Sequence, residues 1–280
     1  MKNQSTKGTK PTIKLVQEMK ANVYSVEGQA VRQVELPKAF AEPVRPDLIR
    51  RAVISEQTRE YQPKGSLKEA GVQTSADYKG RKEDFGSIKN HGISRLPREK
   101  LPKGRFGRVR IVPFSVKGRR AHPPKVEKIL IEKINKKEYS KAMASAIAAT
   151  AKKELASERG HSIDGVKEFP LIVEDGFEKI AKTREILKAL SALGVEKDLE
   201  RGKKRKKLTG VAGRRRGGMK GPRTVLVVVG DECGALKGAR NLAGVDVAIV
   251  GKLKASQLAP GTHAGRLTLW TENAIKKLSG

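Results

Sequence analysis

From Gln62 to Pro124 the apolar periodicity that marks helices and strands disappears, although the stretches on either side carry it plainly. Gly, Pro, Ser and many cations fill the gap. A structureless loop of this length is uncommon inside a compact domain, and this one holds too few apolar residues to offset the entropy of ordering it. Such a segment takes a fixed shape only if something outside the chain supplies the missing contacts.

The charge says what that partner is. Lys and Arg number 60 against 30 Asp and Glu, a formal charge of +30. Unpaired cations in that excess repel one another and destabilise the compact state. A polyanion relieves this, and nucleic acid is the leading candidate. A membrane partner is not expected. No apolar run reaches the length of a spanning helix, the basic segments lack an aromatic and aliphatic face, and Met1 to Lys20 has no apolar signal-peptide core. Cys233 is the single cysteine, so no disulfide framework or cysteine zinc site can form within the chain, which fits the reducing cytoplasm.

Residues 1–18 read as a disordered extension, with Met19 an alternative start. "VYSVEGQAVRQVEL" predicts a hairpin turning at Glu27-Gly28. "RPDLIRRAVISEQTREY" predicts a helix with Pro46 in its first turn and Leu48, Ile49, Ala52 and Val53 inward. Helical pattern returns at "KVEKILIEKI", Asn135 and Glu138 stand at capping-box spacing, and one long helix is expected over "EYSKAMASAIAATAKKELASERG", with Gly160 closing it. "FPLIVE" predicts a strand, "KTREILKALSALG" a helix with Ile186, Leu187, Leu190 and Leu193 inward, closed by Gly194. "TVLVVVG" is a β-branched run suited to a strand buried on both faces. "VDVAIV" and "GRLTLW" add strands, "ASQLA" and "TENAIKKL" helices, the last capped by Thr271.

Strands alternating with helices predict an α/β fold, a mostly parallel sheet flanked by helices in a Rossmann-like layer. Residues 19–61 and 125–280 form its single globular domain. Residues 62–124 are an extended loop inserted in it, and 201–223 a second basic insertion.

Enzymatic chemistry finds little support. "VLVVVGDECGALKGAR" runs from a strand into a turn, but G-x-G-x-x-G is absent and Asp231 and Glu232 would repel a pyrophosphate. "GRRRGGMKG" has the composition of a P-loop without its spacing. His91, His122, His161 and His263 show no ligand spacing. Cys233 follows two acids that raise a thiol pKa, and reads as a small buried hydrophobe. No catalytic group, metal or cofactor is expected. An RNA-modifying enzyme on this fold, or a general nucleic-acid binder, are the competing readings.

The basic segments are internal, and Gly and Pro interleave their cations so that backbone can approach phosphates. Phe106 and Phe114 offer stacking faces. Arg95, Lys103, Arg105, Arg108, Arg110, Lys117, Arg119, Arg120, His122 and Lys125 are the candidate RNA contacts of the first segment. Lys203, Lys204, Arg205, Lys206, Lys207, Arg214, Arg215 and Arg216 are those of the second.

At "GRRAHPPK", Gly118 to Lys125, the sequence resembles the signature of the L-four family of large-subunit ribosomal proteins in its archaeal and eukaryotic form. "VYSVEGQ", "ELPKAFAEPVRPDLIRRAV", "SAIAATA", "ERGH", "ARNLAGVDVA" and "LAPGTHAGRLTLWTENAI" agree in order. The resemblance implies a structural, rRNA-binding constituent of the cytoplasmic ribosome, with neighbouring large-subunit proteins as partners. It also implies a loop whose tip, near Phe85 to Arg105, lines the exit tunnel and meets the nascent peptide.

Overall fold

The computed structural model describes residues 19–69, 73–74, 76–112, 116, 118, 120, 122–215 and 217–279. The expectation for residues 1–18 therefore lies outside the described residues. Contacts divide the chain into two compact units, one of residues up to Arg59 and from Glu132 onward, the other Glu60–Ile131.

The first unit is built on a six-stranded sheet. Strands β1 (Lys20–Tyr24) and β2 (Ala30–Glu35) form the predicted hairpin. Gly28 turns it at a φ of +83°, a conformation glycine adopts without strain. β6 (Leu171–Val173), β9 (Leu226–Val229), β10 (Asp246–Ile249) and β11 (Thr268–Thr271) complete the order β10-β9-β11-β6-β1-β2. Every pairing is parallel except β1 with β2.

β9 shows why the sheet forms. Leu226 and Val228 join a core with α1 (Pro46–Arg59), α2 (Lys136–Thr150), α8 (Ala255–Leu258) and α9 (Glu272–Ser279). Val227 and Val229 face the opposite way, into a second core with α4 (Thr183–Ala192), α5 (Glu196–Lys203) and α7 (Gly234–Arg240). Side chains alternate across a strand, so a run apolar at every position needs a layer of helices on each face. Trp270 of β11 is fully buried in the first core, edge-on to Phe40 with ring centroids 5.4 Å apart.

Helix ends explain several differences from expectation. The long helix breaks at Ala151–Lys152 into α2 and α3 (Lys153–Glu158). Asn135 precedes α2, but its side chain makes no capping bond, and Glu138 instead pairs with Arg51 of α1 at 2.8 Å. In α4 Leu187 is exposed and Ala189 buried, so the inward face is rotated from the predicted one. Gly160 and Gly194 end α3 and α4 at φ of +87° and +81°, as predicted for both. Thr271 accepts the Ala274 amide at 3.2 Å, capping α9.

The second unit has a sheet of β3 (Ala76–Asp77), β4 (Arg98–Lys100) and β5 (Phe106–Val109), all antiparallel. These short strands fall within the stretch read as lacking periodicity. At two to four residues each they are too short to leave an alternating pattern. The helix expected at "KVEKILIEKI" is not formed, and the chain there is turn and irregular. Ile129 and Ile131 are exposed, and a short helix that buries no face is unstable in water. Among the described residues this unit buries only three apolar side chains, Ile88, Pro97 and Val112.

Candidate nucleic-acid interface

In the second unit, Arg120, His122 and Lys125 line one cleft of about 1220 Å³, together with Tyr61, Lys64 and Lys128. Glu60 and Glu127 also line it. Glu127 is already paired with Lys68 at 3.4 Å. The Pro123-Pro124 pair holds this wall extended.

The small sheet distributes its arginines unequally. Arg95, Lys103, Arg105 and Arg108 are exposed, and no carboxylate among the described residues meets them. Arg110 forms an ion pair with Glu99, so one of the predicted contacts is partly committed within the chain. Arg98 is turned inward onto the Ser94 hydroxyl at 2.8 Å and the Gly107 carbonyl at 3.3 Å. It braces the sheet. Lys103 and Gly104 both have positive φ, 61° and 68°, which turns the chain sharply between β4 and β5. Phe106 is partly exposed, its ring centroid 5.5 Å from that of His91. Phe114, Lys117 and Arg119 lie outside the described residues.

The second basic segment is more regular than its composition suggests. α5 continues through Lys203, and β7 (Lys206–Lys207) pairs with β8 (Met219–Lys220). Between them lies α6 (Gly210–Arg215). Lys206 stands directly opposite Lys220, and like charges so placed are destabilising. Lys203, Lys204, Arg205, Lys206, Lys207, Arg214 and Arg215 are all exposed, and no carboxylate among the described residues meets them. Arg216 lies outside the described residues.

The strand ends, where open α/β sheets bind ligands, are filled by the protein itself. Glu178 accepts the Gly230 amide at 3.0 Å and the Thr271 hydroxyl at 2.6 Å. A Cβ on Gly230 would stand 2.4 Å from the Asn273 amide. Asp231 and Glu232 diverge, Asp231 to Lys277 and Glu232 to Lys252. Burial, more than Glu178 or Asp231, pushes the half-buried Cys233 thiol up. No cluster of metal-ligating side chains occurs among the described residues, and no helix among them is long and apolar enough to cross a membrane.

One cationic site joins the ends of the second basic segment to a distant arginine. Arg159, Arg201, Lys220 and Arg223 line a cleft of about 700 Å³ with His161. Arg201, Lys220 and Arg223 lie at the two ends of the 201–223 segment, and Arg159 and His161 come from the distant "ERGH" motif.

Among the described residues, a parallel α/β unit with flanking helix layers and internal cations that are exposed and without carboxylate partners offers a surface suited to a polyanion. The model of the Ribosomal protein L4/L1 family matches residues 34–280. A "Large ribosomal subunit protein uL4" from Methanococcus maripaludis strain C6 is 51% identical over 263 residues, covering 94% of this chain and 99% of the relative. Proteins of the same name from Methanocaldococcus jannaschii and Methanosphaera stadtmanae are 49% and 45% identical, covering 93% and 92% of this chain and 98% and 96% of theirs. The chain belongs to the Ribosomal protein L4/L1 family. Membership makes it a structural protein and not an enzyme.

Proposed function

We propose that this protein is a structural constituent of the cytoplasmic large ribosomal subunit and that its two basic segments hold rRNA. Arg95, Lys103, Arg105, Arg108, Arg120, His122 and Lys125 contact RNA from residues 62–124, with the undescribed Lys117 and Arg119 beside them. Lys203 to Lys207 and Arg214 to Arg216 do so from the second segment. Arg110 joins them when RNA competes with Glu99 for its guanidinium.

The mechanism is electrostatic and architectural. Each cation displaces condensed counterions from the phosphates, and their release to bulk drives association. Residues 62–124 run as an extended arm between rRNA helices when bound, and their tip, near Phe85 to Arg105, lines the exit tunnel where it meets the nascent peptide. Neighbouring large-subunit proteins complete the surroundings. The observation that carries this reading is the thinness of the second unit. With only Ile88, Pro97 and Val112 as buried apolar side chains among the described residues, its core is too thin to supply its own stability, and apolar residues such as Phe85, Ile111 and Val116 are exposed. A second support is the opposed pair Lys206 and Lys220, whose repulsion a phosphate relieves.

The test is co-sedimentation of the protein with protein-depleted large subunits across a potassium chloride series, intact and lacking residues 80–110. Intact protein should sediment with subunits and lose affinity steeply with salt, while the deletion variant stays folded and binds more weakly with a shallower salt slope. Equal affinity for duplex DNA would point to a general nucleic-acid binder instead.

A further inference from the structure

The cleft of Arg159, Arg201, Lys220 and Arg223 belongs to the α/β unit; Arg201, Lys220 and Arg223 stand at the ends of the 201–223 segment but outside the predicted contacts, and Arg159 lies outside the segment. Its charge is unbalanced. Glu158 is the only carboxylate among its lining residues. Two further acids stand behind the wall, and each already has two partners. Asp198 meets Arg201 at 2.8 Å and His161 at 3.1 Å. Asp246 meets Arg223 at 2.6 Å and the buried Arg266 at 2.7 Å.

Arg159 has no carboxylate partner among the described residues. It is anchored by donating to backbone carbonyls, Pro260 at 2.7 Å and His263, and Arg201 likewise donates to the Arg223 carbonyl at 2.7 Å. These bonds fix the guanidinium planes without neutralising them. Burial, then Arg266 and Arg201 nearby, pull the Arg159 pKa down to about 10. His161 is buried in the cleft wall, and its Nε2 has no hydrogen-bond partner among the described residues.

We propose that this cleft is a second RNA site, holding a backbone phosphate between Arg159, Arg201, Lys220 and Arg223. The inference rests on the rRNA-binding reading above and deepens it, adding Arg159 and a defined seat where the ends of the second segment meet. Guanidinium forks match phosphate oxygens in pairs. Lys220 places the cleft next to a longer cationic track, because it sits opposite Lys206 in the β7–β8 pair. A polynucleotide, with a charge at every residue, can occupy cleft and track together.

Filter binding of the full chain to deproteinised large-subunit rRNA across potassium chloride tests this, comparing wild type with the double variant Lys220→Gln/Arg223→Gln. Losing the cleft's one phosphate contact should reduce the slope of log K against log salt by about 0.7–0.9 in the double variant. An unchanged slope in a folded double variant overturns the cleft while leaving the broader reading intact. Absence of wild-type binding overturns both. Should the double variant not fold, phenylglyoxal modification of wild-type Arg159, Arg201 and Arg223 decides. Protection by rRNA but not by polyglutamate of equal charge supports the site. No protection, or equal protection by polyglutamate, overturns an RNA phosphate as the occupant.

Discussion

His161 Nδ1 lies 3.1 Å from Asp198 Oδ2 inside the α/β unit, tying the chain after α3 to the first turn of α5. Asp198 also accepts the Ser162 amide at 3.2 Å and Arg201 Nε at 2.8 Å. The pair fixes the wall of the arginine cleft and makes stability depend on pH.

Burial pulls His161 below its ordinary 6.5, against the attraction of Asp198. Burial alone would raise Asp198, but hydrogen bonds from His161 and Arg201 hold it below 3.8. For both groups the unfolded chain binds a proton more readily than the fold does. Stability from His161 is therefore full above 6.5 and declines as pH falls below it, and that from Asp198 declines below 3.8. Unfolding midpoints in urea should drop from pH 7 to pH 5 in wild type and drop less steeply in His161→Gln. Parallel pH profiles for the two proteins would refute this.

Trp270→Ala should cost about 3–5 kcal/mol, since it empties a fully buried indole site against Phe40. Trp270→Phe should cost clearly less. It keeps an aromatic ring in the site and removes Nε1, a buried donor with no partner among the described residues. Circular dichroism in urea reads both, since the chain's single tryptophan is the residue replaced.

Gly194→Ala should be far more damaging than Gly261→Ala. Both glycines have positive φ, 81° and 75°, which costs an L-residue about 1–2 kcal/mol. A Cβ at Gly194 would also stand 1.8 Å from the Gly165 carbonyl oxygen, whereas at Gly261 it meets nothing within 4 Å. The second variant isolates the backbone cost, and the difference in thermal midpoint isolates the clash.

Glu56 of α1 accepts the Ala255 and Ser256 amides, each at 2.9 Å, and the Tyr139 hydroxyl at 2.5 Å. It joins α1, α2 and the start of α8. Burial first, then the hydrogen bond and charge of Glu56, push the Tyr139 phenol up to about 12. Glu56→Gln should lower that value while leaving it above 10, because burial persists. Ultraviolet titration of difference absorbance at 295 nm checks it. Glu56→Ala should cost about 2–3 kcal/mol by stranding the buried donors.

Local signals account for what could be read along the chain. The β9 run is apolar at every position because both its faces are covered, and that pattern survives in one dimension. Gly28, Gly160 and Gly194 marked turns and helix ends because the positive φ there excludes most other residues. The charge excess needed no structure at all. The break between α2 and α3 was hidden because no Gly or Pro marks it. The irregular course of 125–134 was hidden because its helical period is real but Val126, Ile129 and Ile131 stay exposed.

The sequence by itself determined an α/β class and a chain that needs a polyanion, because periodicity and net charge are sums over neighbours. Only the tertiary structure decided the strand order, the commitment of Arg110 to Glu99 and Arg98 to its own sheet, and the meeting of Arg159, Arg201, Lys220 and Arg223. Which cations are spent within the chain and which remain for RNA depends on angstrom-scale distances between residues far apart in sequence, and Coulomb and hydrogen-bond energies follow those distances.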